Sequence, residues 1–270
     1  MANPPGSLTR YAAVLEALAA VPEGSSLTDV ARATVLPKGS VHRILRALAG
    51  VGFVAGREDS KTYVLGPRLL RLLHLGAAPA TVAPLVRPVL EDLVAGLGET
   101  VFVAKLVGDD VRSVALAVPE REGQSYVQPG RVMPAHAAAS AKAIVAYQPE
   151  DMIERVLARP LPRYTAKTCT DRVKVRQELG LVRAHGYAAC DDELDPGVLS
   201  LACPLWLEGA GVVYSIGVVG LKPRLERRPR KQVVAVLREA ADRCARRLET
   251  GLRSLGAAEP SEAGREGSSP

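Results

Sequence analysis

Cysteine is scarce in this chain. Its 270 residues hold four, Cys169, Cys190, Cys203 and Cys244, with no C-x-x-C pair among them, so neither a zinc ribbon nor a thioredoxin-type redox motif is spelled out. Free thiols in a reducing compartment fit this usage. Long apolar runs are lacking as well: the longest stretch without Asp, Glu, Lys or Arg, Leu72 to Val86, contains Pro79 and Pro84. It falls short of the roughly 18 apolar residues that a membrane-spanning helix needs. Arg10 and Glu16 interrupt any apolar core of a secretory signal. Catalytic signatures are absent too. There is no G-x-S-x-G elbow and no phosphate loop, and Ser140 and Lys142 stand two residues apart instead of the three of S-x-x-K. His136 has no second metal ligand at helical spacing, so it reads as a turn-settling histidine. These absences predict a cytoplasmic protein without catalytic centre, metal site, cofactor or membrane contact.

What is present is a mild positive excess, unevenly placed. Lys and Arg number 35 against 29 Asp and Glu, a net charge of +6. Residues 1–77 carry nine basic and five acidic groups, half the excess of the folded part in little more than a quarter of the chain. A basic N-terminal unit suits a polyanion. With 47% hydrophobic residues, the length has room for two domains.

The first 66 residues read as three helices and a hairpin. Leu8, Tyr11, Leu15 and Leu18 recur at helical steps after Ser7, a residue type able to cap the first turn. Ser26 precedes Asp29 at capping-box spacing and opens a second helix through Leu27, Val30 and Ala31. Pro37 suits the start of a third, whose apolar stripe is Val41, Ile44, Leu45 and Leu48 before Gly50 and Gly52 end it. The opposite side of that helix gathers Lys38, Ser40, His42, Arg43 and Arg46, donors suited to phosphates and base edges in a major groove. Two strand-like pieces, 52–55 and 62–65, flank the polar tip 57–61, which holds Arg57 and Lys61. Together they read as a winged helix-turn-helix. Periodicity alone leaves open a merely solvated basic face.

Resemblance narrows this. The string Leu36-Pro37-Lys38-Gly39-Ser40-Val41-His42-Arg43-Ile44-Leu45 resembles the L-P-K-S-T-x-H-R-L-L signature of the IclR family of bacterial transcription regulators, with Gly39 where that family often has Ser. Tyr63-x-Leu65-Gly66-x-x-Leu69 is similar to its wing exit. The resemblance implies that Ser26, Lys38, Ser40, His42, Arg43, Arg46, Arg57 and Lys61 face double-stranded DNA. It also implies that a leucine-rich helix at 67–78 links two domains and helps pair two DNA-binding units into a homodimer, or a tetramer, on a palindromic operator. By composition alone, that helix could equally belong to one core.

Beyond residue 79 the pattern is α+β. A helix at about 80–97 precedes strands at 101–107 and 111–118, helices at 135–147, 150–158 and 171–185 with Thr170 as cap, strands at 198–206 and 212–219, and a long closing helix through Val233 and Leu252. Pro134 to Ala143, Gly186-Tyr187-Ala188 with Asp192-Glu193, and Ser215 to Gly220 resemble the motifs of the family's GAF-like effector domain, here 79–255, with a disordered tail over 256–270.

In family members that bind small oxo-acids, the ligand-holding positions match Ala139, Ser140, Cys190, Ser200, Gly217 and Val219. Several of the family's polar groups are replaced there. Helix-start amides can still receive a carboxylate, and the resemblance implies an effector larger and more apolar than glyoxylate or pyruvate, such as an aromatic acid or another catabolite. A one-residue slip at Asp191 and Asp192 would restore a carboxylate. The basic run Arg224 to Lys231 reads as a solvated loop, and Trp206, the only tryptophan, as core or subunit interface. The resulting expectation is a ligand-responsive regulator, a repressor before an activator, with an enzyme acting on a small acid and a winged-helix protein-interaction module as rivals.

Overall fold

The structure, a computed structural model, describes residues 6–120 and 126–256. The N-terminal unit comprises α1 (Ser7–Ala19), β1 (Ser25–Ser26), α2 (Leu27–Thr34), α3 (Lys38–Gly50), β2 (Val54–Arg57) and β3 (Thr62–Leu65). Its antiparallel sheet has the order β1-β3-β2. Val14, Leu18, Val30, Val41, Leu45 and Leu48 close a small core of their own, and these are residues that helical periodicity places on the inner faces. Ser26 caps α2 as expected, its Oγ accepting from the amide of Asp29 at 3.2 Å and donating to the Asp29 carboxylate at 2.6 Å. Ser7 does not cap α1. It is the first helical residue, and Gly6, which has no side chain to offer, stands at the cap position. Pro37 likewise stands at the cap of α3, just ahead of the first turn.

After the wing, α4 (Pro67–Gly76) turns away from the first core. Gly66 makes this possible: a Cβ there would overlap the carbonyl oxygen of Gly52, so the wing exit and the end of α3 approach as only glycine permits. One face of α4 packs on the second core through Leu70 and Leu75, while Leu72 and Leu73 on the other face remain 49% and 41% exposed.

The second unit begins with α5 (Pro79–Leu97), followed by β4 (Thr100–Val107), β5 (Asp110–Ala117), β6 (Val132–Met133), α6 (Ala139–Val145), α7 (Glu150–Ala158) and α8 (Arg172–His185). It ends with β7 (Ala188–Asp191), β8 (Val198–Leu207), β9 (Gly211–Leu221), α9 (Lys222–Leu225) and α10 (Arg230–Gly256). The six strands form one antiparallel sheet in the order β6-β5-β4-β9-β8-β7. α5 and α10 pack on one another and on the sheet. Strand alternation sends Cys203 toward α10, where its Sγ meets the Val234 carbonyl, and Ser215 toward α6, where its Oγ donates to the Ser140 carbonyl at 3.0 Å. Both faces are therefore covered, and β9 is buried nearly end to end. That is why the sequence shows a continuous apolar run there instead of alternation.

Several expectations shift. The helix expected over 135–147 is confined to Ala139–Val145, because residues 135–138 form turns in which the Ala137 and Ala138 amides both bond the Pro134 carbonyl. Asp171, not Thr170, caps α8, accepting from the Val173 and Lys174 amides. Short β6 and β7 were not expected as strands. Trp206 is 57% exposed, set edge-on against Tyr147 with ring centres 4.8 Å apart. The expected tail lies outside the described residues, apart from Gly256 at the end of α10. No single helix among the described residues is long and apolar enough to cross a membrane; α4 and α5 pass that test only jointly, across a 94° bend.

Candidate functional site

Two surfaces gather the residues singled out by the sequence. The first is the outer face of α3. Val41, Ile44, Leu45 and Leu48 bury its inner stripe, so the helical step leaves Lys38, His42, Arg43 and Arg46 exposed and Ser40 half-buried. Among the described residues these four basic side chains have no ion-pair or hydrogen-bond partner. Elsewhere the surface cations of this chain are mostly engaged: Arg155 and Arg159 with Asp109, Arg176 with Glu150 and Glu154, Lys222 with Asp191. Arg57 reaches back from the wing to the Glu23 carbonyl at 2.9 Å, using one of its donors. Lys61 sits at the wing tip in the left-handed region, at φ 50°. Ser26 is occupied by the α2 cap.

The second surface is a part-open cavity of about 150 Å³ between the α6 side of the sheet, the start of α6 and the segment 126–134. Five of the six expected effector positions, Ala139, Ser140, Cys190, Ser200 and Val219, line it. Gly217 does not. It pairs across the sheet with Phe102, and a Cβ on it would lie 2.8 Å from the Phe102 ring, so the ring covers the glycine and itself forms part of the wall. The sequence reading named Gly217, whereas the side chain at the cavity is that of Phe102, its cross-strand partner. A glycine inside a strand was the available signal.

The slip considered at Asp191 and Asp192 does not bring a carboxylate in. Asp191 pairs with Lys222 at 2.6 Å. Asp192 accepts from Lys167 at 2.6 Å and from the Gly197 amide at 2.6 Å, bonds that hold its carboxyl below the usual range. Asp195 supplies the acid at the cavity instead. Burial, reinforced by Glu193, pushes the Cys190 thiol up to about 11, so it is a neutral, weak donor. The Ser140 hydroxyl donates to the Met133 sulfur at 2.6 Å.

Polar groups that sequence reasoning did not find are Gln128, Arg131 and Tyr164, all from loops. Arg131 is exposed, and its guanidinium has no partner among the described residues. Tyr164 stacks on His136, whose Nε2 meets the Pro162 carbonyl at 2.9 Å, so His136 braces the wall as a turn histidine should. Behind the wall lies Lys142, wholly buried between Glu178 at 2.6 Å and Glu193 at 2.8 Å. Burial alone would lower its pKa. The two carboxylates outweigh it and leave the ammonium raised above 10.5. Among the described residues no cluster of three His, Cys, Asp or Glu could hold a metal ion.

The far end of α6 meets α4. Gln148, three residues past that helix, accepts from Arg71 at 2.5 Å, and Arg71 also donates to the Ala210 carbonyl at 3.0 Å. A short, fully buried helix thus runs from the cavity to the segment that leads to the wing.

Residues 7–58 match the IclR helix-turn-helix domain, and residues 78–246 match the bacterial transcriptional regulator IclR C-terminal domain. The chain is 32% identical to the glycerol operon regulatory protein of Streptomyces coelicolor over 249 residues, 91% of this chain and 97% of that protein. It is 33% identical to the HTH-type transcriptional regulator TtgV of Pseudomonas putida, covering 72% and 74% of the two chains. Among solved structures, an IclR homolog from Microbacterium hydrocarbonoxydans complexed with 4-hydroxybenzoate aligns with a TM-score of 0.58 and 25% identity, over 92% of this chain and all of that one. With a DNA-binding helix-turn-helix and an effector-type domain in one polypeptide, this chain belongs to the IclR family, whose members are transcriptional regulators and not enzymes.

Proposed function

We propose that the protein is a cytoplasmic repressor that binds a palindromic operator as a homodimer, or as a pair of dimers, and changes its hold on DNA when a one-ring aromatic acid enters the cavity beside α6. In this reading residues 1–66 bind DNA, 67–78 link and 79–255 sense. Lys38, Ser40, His42, Arg43 and Arg46 enter the major groove, and Arg57 and Lys61 touch phosphates from the wing. Ser26 contributes by setting the start of α2. The exposed Leu72 and Leu73 are the natural seam for a second copy.

The observation that carries the effector class is the cavity itself. A protein cavity near 150 Å³ accommodates a single benzene ring, and Phe102, Tyr164 and Val219 offer a largely apolar wall. Arg131 supplies a charge for a carboxylate, and Ser200 or Gln128 a polar partner for a ring substituent. Pyruvate would leave the apolar wall unfilled. The Microbacterium relative's 4-hydroxybenzoate has the expected chemistry.

Calorimetry with 4-hydroxybenzoate and with pyruvate tests the assignment. Saturable binding of the aromatic acid with none of pyruvate is expected; tight pyruvate binding overturns it. A gel-shift titration with DNA upstream of the gene, with and without the acid, tests the response. Only a ligand with different affinity for the free and DNA-bound arrangements can move that equilibrium.

A further inference from the structure

The turn between α2 and α3 holds a residue whose conformation and exposure both run against its chemistry. Val35 is the C-cap of α2 at φ 54° and ψ 30°, a left-handed conformation in which a β-branched side chain is a steric outlier. It is also 90% exposed, the highest value among the exposed large apolar side chains of the described residues. The chain has a cheaper solution and uses it elsewhere: the left-handed caps of α5 and α8 are Gly98 and Gly186. At the end of α2 it places valine instead. Neighbouring contacts hold the strained conformation, since the Val35 amide bonds the Arg32 carbonyl, the Leu36 amide bonds the Ala31 carbonyl, and Leu36 packs against the first core. Strained backbone held in this way gathers at sites of contact with ligands.

Its position supplies the ligand. Val35 stands two residues before the Pro37 cap of α3, at the end of that helix which also carries Lys38. This is the end that meets base edges when a helix-turn-helix docks. The apolar group displayed by the major groove is the 5-methyl of thymine. We infer that Val35 is a base-reading residue whose methyl groups pack on a thymine methyl, adding apolar sequence discrimination to the cationic contacts of α3. The inference rests on the reading of α3 as the helix that enters DNA.

The test starts from duplexes selected out of a random-sequence pool by the full-length protein. Affinities of wild type and Val35→Gly are then measured by fluorescence anisotropy on the selected duplex and on copies in which deoxyuridine replaces thymidine, one position at a time. Val35→Gly is expected to melt at a higher temperature, since glycine relieves the strain, and yet to bind about fourfold more weakly per half-site, the worth of roughly one buried methyl. Wild type should lose the same factor at one uracil position per half-site, and there the variant should lose nothing further. Val35→Gly binding as tightly as wild type overturns the inference. So does a weakening that every uracil substitution leaves unchanged, which would place the contact on the sugar. Failure of the underlying reading looks different: no duplex is enriched, or Arg43→Ala binds the selected duplex undiminished.

Discussion

The cations on the outer face of α3 and the buried cations beyond the wing stand in opposite surroundings. On α3, Lys38, Arg43 and Arg46 stand in water with no partner among the described residues. Beyond the wing, Lys142 is buried against Glu178 and Glu193, Arg71 of α4 is half-buried against Gln148 and Ala210, and Lys105 is buried with its ammonium on the Ala77 carbonyl. A cation that the fold has already satisfied has little left to offer a ligand, whereas an unpaired one keeps its charge and donors for an outside partner. The contrast separates the cations of α3, which are open to an outside partner, from those that hold the scaffold. The sharpest way to break it is to exchange the consequences: removing a scaffold cation should destabilise the fold, and removing a cation of α3 should leave the fold untouched.

The largest effect is expected at Lys142. Lys142→Met leaves two carboxylates facing each other in a buried site and should cost about 3–5 kcal/mol in denaturant unfolding. The lower end applies because the Glu178 side chain is 33% exposed. The raised pKa of Lys142 means that its contribution is fully present below the unfolded value of 10.5 and is lost only as pH rises through the higher folded value. The penalty should therefore be flat from pH 7 to about 9. A loss that vanished at neutral pH would show that the ammonium is not what holds the site.

Arg43→Ala should do the reverse. Unfolding should change by less than about 0.5 kcal/mol, as at an ordinary surface site, while operator affinity falls by roughly 1–3 kcal/mol if the guanidinium reads a base. A contact to phosphate alone would instead weaken all duplexes alike and reduce the salt dependence. Undiminished binding would remove Arg43 from the interface and dissolve the contrast between the units.

How much of each unit was legible follows from the same physics. The N-terminal unit is built from one-sided helices, so the stripe Val41, Ile44, Leu45 and Leu48 and the opposite basic face could both be read from spacing. The cap Ser26 and the second wing strand were equally local, whereas the first lies at Val54–Arg57, two residues later than expected, and takes in Arg57 from the expected tip. In the second unit the strands are covered on both faces, which erases alternation, and the cavity wall joins residues as distant as Phe102, Arg131, Tyr164 and Ser200. Family motifs located Ser140, Cys190 and Val219. Nothing local to Tyr164 or Arg131 marked them, because loops carry no periodicity. The Lys142 trio was illegible because its members are distant in sequence, coming from α6, α8 and the turn after β7.

Gly217→Ala probes the cavity by a smaller change. A Cβ 2.8 Å from the Phe102 ring is too close to be accommodated without movement, and a ring displaced toward the cavity it lines would narrow that space. Overpacking of this kind costs about 1–3 kcal/mol, here divided between stability and ligand affinity. Binding of 4-hydroxybenzoate measured by calorimetry should weaken while operator affinity without ligand stays the same. Unchanged ligand binding would mean that the ring retreats elsewhere and that Phe102 does not set the size of the pocket.

The smallest effect is expected at Ser26, where the contrast between recognition and scaffold is finest. Its hydroxyl is at the surface that faces DNA in the proposed complex, yet it already accepts from the Asp29 amide and donates to the Asp29 carboxylate. The bond to Ser26 holds the Asp29 carboxyl below its ordinary range. Ser26→Ala should therefore act as a lost helix cap, lowering unfolding stability by about 1 kcal/mol. Ser26→Asp keeps a capping acceptor and tests the alternative, because a second carboxylate beside Asp29 would repel a phosphate. If Ser26→Asp restores stability and binds operator like wild type, the hydroxyl belongs to the scaffold. If it restores stability but binds operator more weakly than wild type, by a margin that grows as salt is lowered, position 26 lies close enough to the phosphates for an introduced charge to count, and one residue serves both purposes.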